Sequence, residues 1–183
     1  CRWSGVPLVV HFRGSDASAR NRIGLLEERY RRLLRLAGGV IVKSERMALR
    51  LEELGAERQR IQISPSGANP ALFHGSQPCQ SPPLLLAVGR FVAKKGPLLT
   101  LRAFQLCLQR ADVSPLPQLW MVGEGPLLAE ARRFVVQHQL QNNVVFAGVC
   151  SQEQVAERMR QVRAFVQHSI VAPDGDSEGS TVA

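Results

Sequence analysis

The sequence predicts an α/β fold in which parallel strands carry helices on both faces of the sheet. Short runs of β-branched and aliphatic residues alternate with longer segments of helical period along the chain of 183 residues. Glycine, proline and helix-capping residues stand between these segments, where each strand-to-helix connection needs a turn. The longest uncharged apolar run, 113–122, is broken by prolines and polar residues, so no membrane-spanning helix is predicted.

The first part of the chain contains three predicted strands and a well-marked helix. The helix follows Ser44, a residue typical of an N-cap, and ends before Gly55. The strands are predicted at 6–12, 39–42 and 61–63.

The second part of the chain repeats the alternation more regularly. Ser151 and Gln154 have the spacing of a capping box, which predicts a helix that runs to Gln161. A further helix is predicted to begin near Gly179. The other predicted elements are strands at 84–89, 119–122, 144–148 and 164–166 and helices at 96–110 and 127–140.

A break in the pattern divides the chain. Residues 77–83 contain three prolines and show neither strand nor helix period. We therefore predict a linker at 77–83, with one domain at 1–76 and another at 84–183.

Charge and cysteine content narrow the function classes. The net charge is +8 and the basic residues are 20 arginines and 3 lysines, with most of the excess before residue 81. Ten aromatic residues and the absence of RNA- or DNA-binding motifs argue against a nucleic-acid partner. The four cysteines form no CxxC pair, so a metal site and a disulfide framework are both disfavoured and a cytoplasmic location is expected.

Six arginines lie between Arg20 and Arg35, several of them at helical spacing beside leucines. A helix on the surface of an anionic membrane would have this pattern, and so would a binding site for a polyanionic acceptor. An amphipathic helix with a solvated basic face is the alternative.

Ligands of parallel α/β sheets bind outside the carboxyl ends of the strands, so the residues that follow each strand are the candidates for a site. Arg90 and Lys95 flank one such loop and could neutralise a diphosphate, although each could also be a solvated surface charge.

Gly123 and Gly125 follow another strand; they lack the third glycine of the dinucleotide fingerprint, and a tight turn explains them as well as a ligand does.

An acidic loop follows the last predicted strand. Asp174, Asp176 and Glu178 crowd together there, where they could bind a cation or a sugar hydroxyl. A solvated acidic loop is the alternative.

Taken together, these motifs resemble those of retaining glycosyltransferases of the GT-B fold, family 4, also called glycosyl transferases group 1. The resemblance covers nearly the whole chain, with the motifs in the family's order and spacing. The segments that carry it are 88–96, 122–126, 145–148 and 174–179, with further matches at 44–55 and at 65–69 together with Phe73.

The resemblance implies parts of two Rossmann-like, doubly wound parallel-sheet domains, both incomplete. Residues 1–76 would be the C-terminal part of the acceptor-binding domain, and 84–183 the N-terminal part of the nucleotide-sugar-binding domain. The chain is expected to be a fragment truncated at both ends and inactive by itself, because the second Glu of the family's Glu-x7-Glu motif would fall beyond Ala183.

The resemblance also implies roles for single residues. Arg90 and Lys95 resemble the pair that binds the donor diphosphate. Glu178 resembles the first motif Glu, which sits against the donor sugar and is catalytic. The other residues implied in donor binding are Gly89, Gly123, Glu124, Gly125, Gly148, Gly179, Ser180 and Thr181.

The segment from His11 to Asp16 resembles the catalytic loop of the family's first domain. Arg13 stands where the family often has His, and Arg13 and Asp16 are the implied catalytic residues of this loop.

The implied function is transfer of a hexosyl unit, with retention of configuration, from a nucleotide-diphosphate sugar to a saccharide or lipid-linked acceptor in polysaccharide or cell-surface glycan synthesis. No metal and no cofactor is expected, and the implied location is the cytoplasm, at the inner face of the membrane. A sugar-nucleotide epimerase of the same fold and a non-catalytic nucleotide-sugar-binding paralogue are the alternatives.

Overall fold

The computed structural model describes residues 5–18, 20–110 and 114–179. It has two compact units: the first contains the chain up to Gly67 together with the segment from Val171 onward, and the second is Ala68–Ile170. The predicted linker 77–83 lies inside the second unit, where Pro78–Gln80 forms a single 3₁₀ turn. The assignment of the two halves to acceptor and donor domains stays a prediction.

The first unit is built on a three-stranded parallel sheet with the order β1-β2-β3. Its strands are β1 (Val9–His11), β2 (Gly39–Val42) and β3 (Ile61–Ile63), and its helices are α1 (Ser15–Ser18), α2 (Arg20–Leu36) and α3 (Glu45–Glu53). The predicted bounds of β2 and β3 are confirmed. The first strand is shorter than predicted, because only Val9–His11 pair with β2.

The turn from β2 into α3 forms as the sequence predicts. Ser44 has an extended backbone and its hydroxyl accepts a hydrogen bond from the Met47 N–H at 3.4 Å, which caps the helix. Gly55, past the helix end, has a φ of +94°. Helix α3 buries Ala48 and Leu51 completely against the sheet, so the loop that precedes it is fixed at the carboxyl end of β2.

The second unit has a four-stranded parallel sheet with the order β6-β5-β4-β7. Its strands are β4 (Leu84–Val88), β5 (Gln118–Val122), β6 (Val144–Gly148) and β7 (Ala164–Phe165), and its helices are α4 (Pro97–Arg110), α5 (Leu128–Gln137) and α6 (Gln152–Gln161). This arrangement confirms the predicted α/β class with parallel sheets.

Hydrophobic clusters cover both faces of this sheet. Ala87 and Leu119 pack in a cluster with residues of α4 and α5, whereas Leu86 and Val122 pack in another with Val155 of α6. Burial on both faces explains why β4 is an uninterrupted apolar run. Helices therefore lie on both faces, as in a doubly wound sheet.

Local signals predict α6 better than α5. The capping box is present: the Gln154 N–H donates to the Ser151 hydroxyl, and the Ser151 N–H donates to the Gln154 side-chain oxygen. Helix α5 is shorter than the predicted 127–140, because Gln139 adopts a left-handed φ of +56°. The helix predicted near Gly179 lies outside the described residues.

No helix in the described part of the chain is both long enough and apolar enough to cross a membrane.

Candidate functional site

The second unit brings four loops together at the carboxyl edge of its sheet. The strands are parallel, so the residues that follow them meet at one edge. Four backbone hydrogen bonds join the neighbouring loops. They run from Gly89 N–H to the Val122 carbonyl at 3.0 Å, from Phe91 N–H to the Glu124 carbonyl at 2.8 Å, from Leu127 N–H to the Phe91 carbonyl at 3.0 Å, and from Gly123 N–H to the Gly148 carbonyl at 2.7 Å.

Phe91 anchors the loop that carries Arg90. Its side chain is only 2% exposed and its ring centroid lies 6.0 Å from that of Phe146. Arg90 is exposed at the same edge of the sheet. A fully buried neighbour therefore fixes the backbone from which the guanidinium projects.

Gly123 and Gly125 are required by the close approach of these loops. Gly123 has a φ of +126°, and a Cβ atom there would lie 2.2 Å from the Gly89 carbonyl oxygen. At Gly125 the φ is +151°, and a Cβ atom would lie 2.6 Å from the Phe91 carbonyl oxygen. Side chains are excluded at both positions, so the glycines shape the floor of the site by packing loop on loop.

Lys95 reaches the same edge from another direction. It ends the 3₁₀ turn Ala93–Lys95, and the next residue, Gly96, has a left-handed φ of +56° from which α4 begins. The aliphatic stem of Lys95 packs over Gly89, where a Cβ atom would lie 3.4 Å from the Lys95 Cδ. Arg90 and Lys95 line one small cavity together, so the structure brings the two predicted cations to the same place.

A wider cleft of about 510 Å³ opens between the loops that follow β4, β5 and β6. Its volume is within the range of roughly 300–1,000 Å³ typical of small-molecule sites. Predicted donor-binding residues that line it are Gly89, Arg90, Gly123, Glu124 and Gly125. Gly148 is next to Val149 and Cys150, which line it as well.

Sequence reasoning missed two polar residues at this edge. Gln167 and His168 come after β7, separated from it by Val166, and line the small cavity that Arg90 and Lys95 also line. The rule that selected Arg90, position after a parallel strand, would have selected them too. Lys94, which sequence reasoning left aside, is 92% buried, since its exposed fraction is 8%.

The first unit contains the predicted catalytic residues. The Asp16 carboxylate accepts hydrogen bonds from the Gly14 N–H at 2.6 Å and from the Arg13 N–H at 3.0 Å. Asp16 therefore holds the loop after β1 in shape, and the Arg13 side chain is exposed on that loop. Phe12, beside Arg13, is buried against Tyr30 with ring centroids 5.9 Å apart.

Glu178 and Gly179 pack within this same unit. A Cβ atom on Gly179 would lie 2.5 Å from the Met47 Cε and 3.4 Å from the Arg13 carbonyl oxygen. The predicted turn glycine is thus wedged between α3 and the loop of Arg13. Ser180 and Thr181, the other predicted residues of the donor-binding turn, lie outside the described residues.

A cavity of about 230 Å³ lies beside Glu178 in the first unit. Glu178 and Ser177 line it, together with Ser44 and Arg46 at the start of α3. Polar groups of both signs therefore face a space that has the volume of a small ligand fragment.

The acidic loop is organised by its own backbone. Asp174 Oδ1 accepts a hydrogen bond from the Asp176 N–H at 3.0 Å, and Gly175 has a φ of +83°. The Ala172 N–H donates to the Asp176 carbonyl at 2.8 Å. No group of three or more His, Cys, Asp or Glu side chains that could hold a metal ion is present within residues 5–18, 20–110 and 114–179.

Comparisons with known proteins identify relatives of this chain. The family model described as glycosyl transferases group 1 matches residues 71–182. The chain is 28% identical over 179 residues to WcaL of Escherichia coli K12, which is named for a glycosyltransferase role in colanic acid biosynthesis. It is 25% identical over 177 residues to the amylovoran biosynthesis glycosyltransferase AmsK of Erwinia amylovora. Each alignment covers 96% of this chain, which spans 43% of the length of each relative.

Among solved structures, the fold is similar to that of HepE from Anabaena in complex with UDP-glucose. The TM-score is 0.68 at 18% sequence identity, and the match covers 92% of this chain and 48% of HepE. At this identity the likeness concerns the fold.

We expect Gly123→Ala to destabilise the second unit by about 3 kcal/mol, because the new Cβ would collide with the Gly89 carbonyl and the φ is unfavourable for any side chain. Urea unfolding followed by tryptophan fluorescence measures the loss. Gly67→Ala is the matched control, since a Cβ atom on Gly67 would have no atom within 4 Å and the residue has no positive φ. Equal stability of the two variants would contradict this account of the loop.

Proposed function

The chain belongs to the glycosyl transferases group 1 family, and from this premise we propose that it transfers a hexosyl unit from a nucleotide-diphosphate sugar with retention of configuration, as a family 4 glycosyltransferase. The family match and the names of WcaL and AmsK support transferase activity in polysaccharide biosynthesis. The HepE complex supports a nucleotide-sugar donor. A saccharide or lipid-linked acceptor completes the proposal.

The observation that carries the proposal is the pairing of Arg90 and Lys95 at the carboxyl edge of the second sheet. Cleavage of a sugar–phosphate bond leaves negative charge on the departing diphosphate. Two cations on a fixed backbone stabilise that charge without having to reorganise during the reaction. Guanidinium also suits phosphate oxygens because its N–H groups bind them in pairs. With both cations in place, the proposed reaction needs no metal.

The wide cleft beside this pair is the proposed nucleoside pocket. Gly123 and Gly125 bring backbone rather than side chains to its wall, and Pro126 and Val149 supply apolar surface. A ring system can stack on such a surface while its phosphates reach Arg90. We assign the nucleoside of the donor to this cleft.

The catalytic residues of the proposal lie in the first unit. Glu178 would stabilise the positive charge that develops on the transferred sugar, as a carboxylate does in glycoside hydrolysis. Arg13 is the second proposed catalytic residue, and its side chain is exposed on the loop after β1. Asp16 has a supporting role, because its carboxylate is occupied by the Arg13 and Gly14 N–H groups.

We place the acceptor in the cavity of about 230 Å³ beside Glu178. An acceptor hydroxyl there would lie next to the proposed catalytic carboxylate. Ser44, Arg46 and Ser177 offer it hydrogen-bonding groups of the kind that saccharides use.

Helix α2 carries the proposed membrane contact. Leu25, Arg29, Arg32 and Leu36 are exposed, and their spacing puts them on one face of the helix. Leu25 is 86% exposed and Leu36 is 54% exposed, so this face of the helix presents apolar side chains beside its arginines. Leucines flanking arginines suit an anionic membrane surface. This contact would place the enzyme in the cytoplasm, at the inner face of the membrane.

Arg90→Ala should weaken binding of the nucleoside diphosphate by roughly 10- to 100-fold, the loss expected for charge-assisted hydrogen bonds. Calorimetry on the full-length protein with UDP, GDP and ADP measures it. Arg102→Ala, on the exposed face of α4, is the matched control and should bind as the wild type does. Unchanged affinity in the Arg90 variant would remove this residue from the site.

Glu178→Gln should lower turnover of the full-length protein by at least about 100-fold while the protein stays folded, because the charge is needed in the transition state. Transfer of radiolabelled sugar to a saccharide acceptor measures turnover, and chromatography of the nucleotide sugar detects epimerisation. Near-normal turnover in this variant would contradict the catalytic role.

Glu153→Gln is the matched control for Glu178→Gln. Glu153 lies in the first turn of α6, where a hydrogen bond involving Ser151 lowers its pKa. Its substitution should leave turnover unchanged. An epimerised nucleotide sugar, or donor binding without any transfer by the wild type, would replace the proposal by one of the two alternatives.

The double variant Arg29→Ala, Arg32→Ala should bind vesicles of phosphatidylcholine and phosphatidylglycerol about 30-fold more weakly, since each arginine contributes about 1 kcal/mol near an anionic surface. Vesicle sedimentation at physiological salt measures the binding. The control variant Arg102→Ala, Arg110→Ala removes two exposed arginines of α4. Equal binding by both variants would contradict the membrane contact on α2.

A further inference from the structure

Two buried nitrogen atoms at the carboxyl edge of the second sheet have no hydrogen-bond partner in the described part of the chain. They are Gln167 Nε2 and His168 Nε2. Both residues line the small cavity, of about 30 Å³, that Arg90 and Lys95 also line. Buried polar atoms in folded proteins are nearly always satisfied, so two unsatisfied ones on consecutive residues of a ligand-binding edge point to a group that binds them.

One tautomer of His168 satisfies both contacts of the Thr100 hydroxyl, and the inference rests on that tautomer. Its Nδ1 lies 3.5 Å from the Thr100 Oγ1, and this oxygen lies 3.3 Å from the Gly96 carbonyl oxygen. A carbonyl can only accept, so the Thr100 hydroxyl donates its proton to Gly96. The oxygen of Thr100 then accepts the proton of Nδ1–H. In the neutral ring this leaves a lone pair on Nε2, which is therefore an acceptor.

Gly96 lets the ring take up this position. A Cβ atom on Gly96 would lie 2.8 Å from the His168 Nε2. Because Gly96 also needs a left-handed φ to start α4, a single glycine serves the helix start and the close approach of the imidazole. The ring is thus held by the backbone and side chain of two residues at the start of α4.

The two nitrogens together indicate the chemistry of the group that they bind. The Gln167 amide nitrogen donates, and the His168 Nε2 accepts. A phosphate oxygen could take the first bond but has no proton for the second, whereas a hydroxyl both accepts and donates. Both nitrogens are closed off from solvent in this structure, so the two side chains must turn toward the small cavity for a hydroxyl to reach them.

The strand order indicates which part of the donor carries this hydroxyl. The wide cleft lies over β4, β5 and β6, on one side of Arg90, and we have assigned the nucleoside to it. Gln167 and His168 follow β7, which flanks β4 on the other side. If the diphosphate lies at Arg90 and Lys95, the transferred sugar extends toward β7.

We propose that Gln167 and His168 bind a hydroxyl of the transferred sugar and so help to select the donor. This inference rests on the proposed function, because it assumes a nucleotide-sugar donor at Arg90 and Lys95.

The test uses the full-length protein and calorimetric affinities for paired ligands. Whichever of UDP-, GDP- and ADP-glucose binds wild type is compared with its nucleoside diphosphate. His168→Phe keeps a ring and removes the acceptor, and Gln167→Met keeps the length and removes the donor. Each variant should bind the nucleotide sugar at least about tenfold more weakly and bind the nucleoside diphosphate as wild type does. His168→Gln, which restores an acceptor oxygen, should recover part of the affinity.

A second measurement needs no variant. Wild type should lose at least about tenfold in affinity for one of the 2-, 3-, 4- or 6-deoxyglucose nucleotides relative to the parent sugar nucleotide, and His168→Phe should not distinguish that pair. Equal losses for nucleotide sugar and nucleoside diphosphate, or no loss for either, would show that the two residues fill a structural role and would overturn the inference. Failure of wild type to bind any nucleoside diphosphate would instead overturn the proposed function, and the inference with it.

Discussion

The second unit depends on the close approach of two loop backbones, at Gly89 and Gly123. No side chain fits between them, since a Cβ on Gly123 would lie 2.2 Å from the Gly89 carbonyl oxygen. Hydrogen bonds across this contact continue the β-ladder past the strand ends and tie the loops after β4, β5 and β6 into one layer. Such a layer exposes backbone and holds cations on a rigid support, which is the preorganisation that stabilisation of a leaving anion requires.

Both units present an exposed arginine beside a buried phenylalanine after a parallel strand. In the first unit Phe12 is buried and Arg13 is exposed; in the second, Phe91 is buried next to Arg90. The aromatic side chain fixes the backbone through the core, and the charge is then displayed from a fixed point on the loop. The hydrogen-bond acceptors for the loop N–H groups differ. In the first unit the Asp16 carboxylate accepts them, whereas in the second unit backbone carbonyls of a neighbouring loop accept them.

The parts of the fold that local chemistry determines could be predicted from the sequence. Ser44 and the Ser151 capping box mark helix starts through bonds that span three residues, and their helices begin as predicted. The ends that failed depend on distant partners or on conformation: β1 ends where pairing with β2 ends, and α5 ends at the left-handed Gln139. Arg90 and Lys95 could be selected because strand order brings them together. His168 could not be given a role, because its surroundings come from Thr100, 68 residues away along the chain.

The acidic loop shows why residue type alone is a weak guide to a metal site. Asp174 resembles a cation ligand in the sequence, yet its carboxylate accepts the Asp176 N–H and shapes the turn around Gly175. After that turn, Gly179 packs against Met47 and the Arg13 carbonyl, where a side chain would collide. The position of Glu178 therefore depends on its glycine neighbour and on α3 more than on the other two carboxylates. Of the three acidic residues, Glu178 is the one whose surroundings form a cavity with polar groups from other elements, and this favours it as the residue that acts on a ligand.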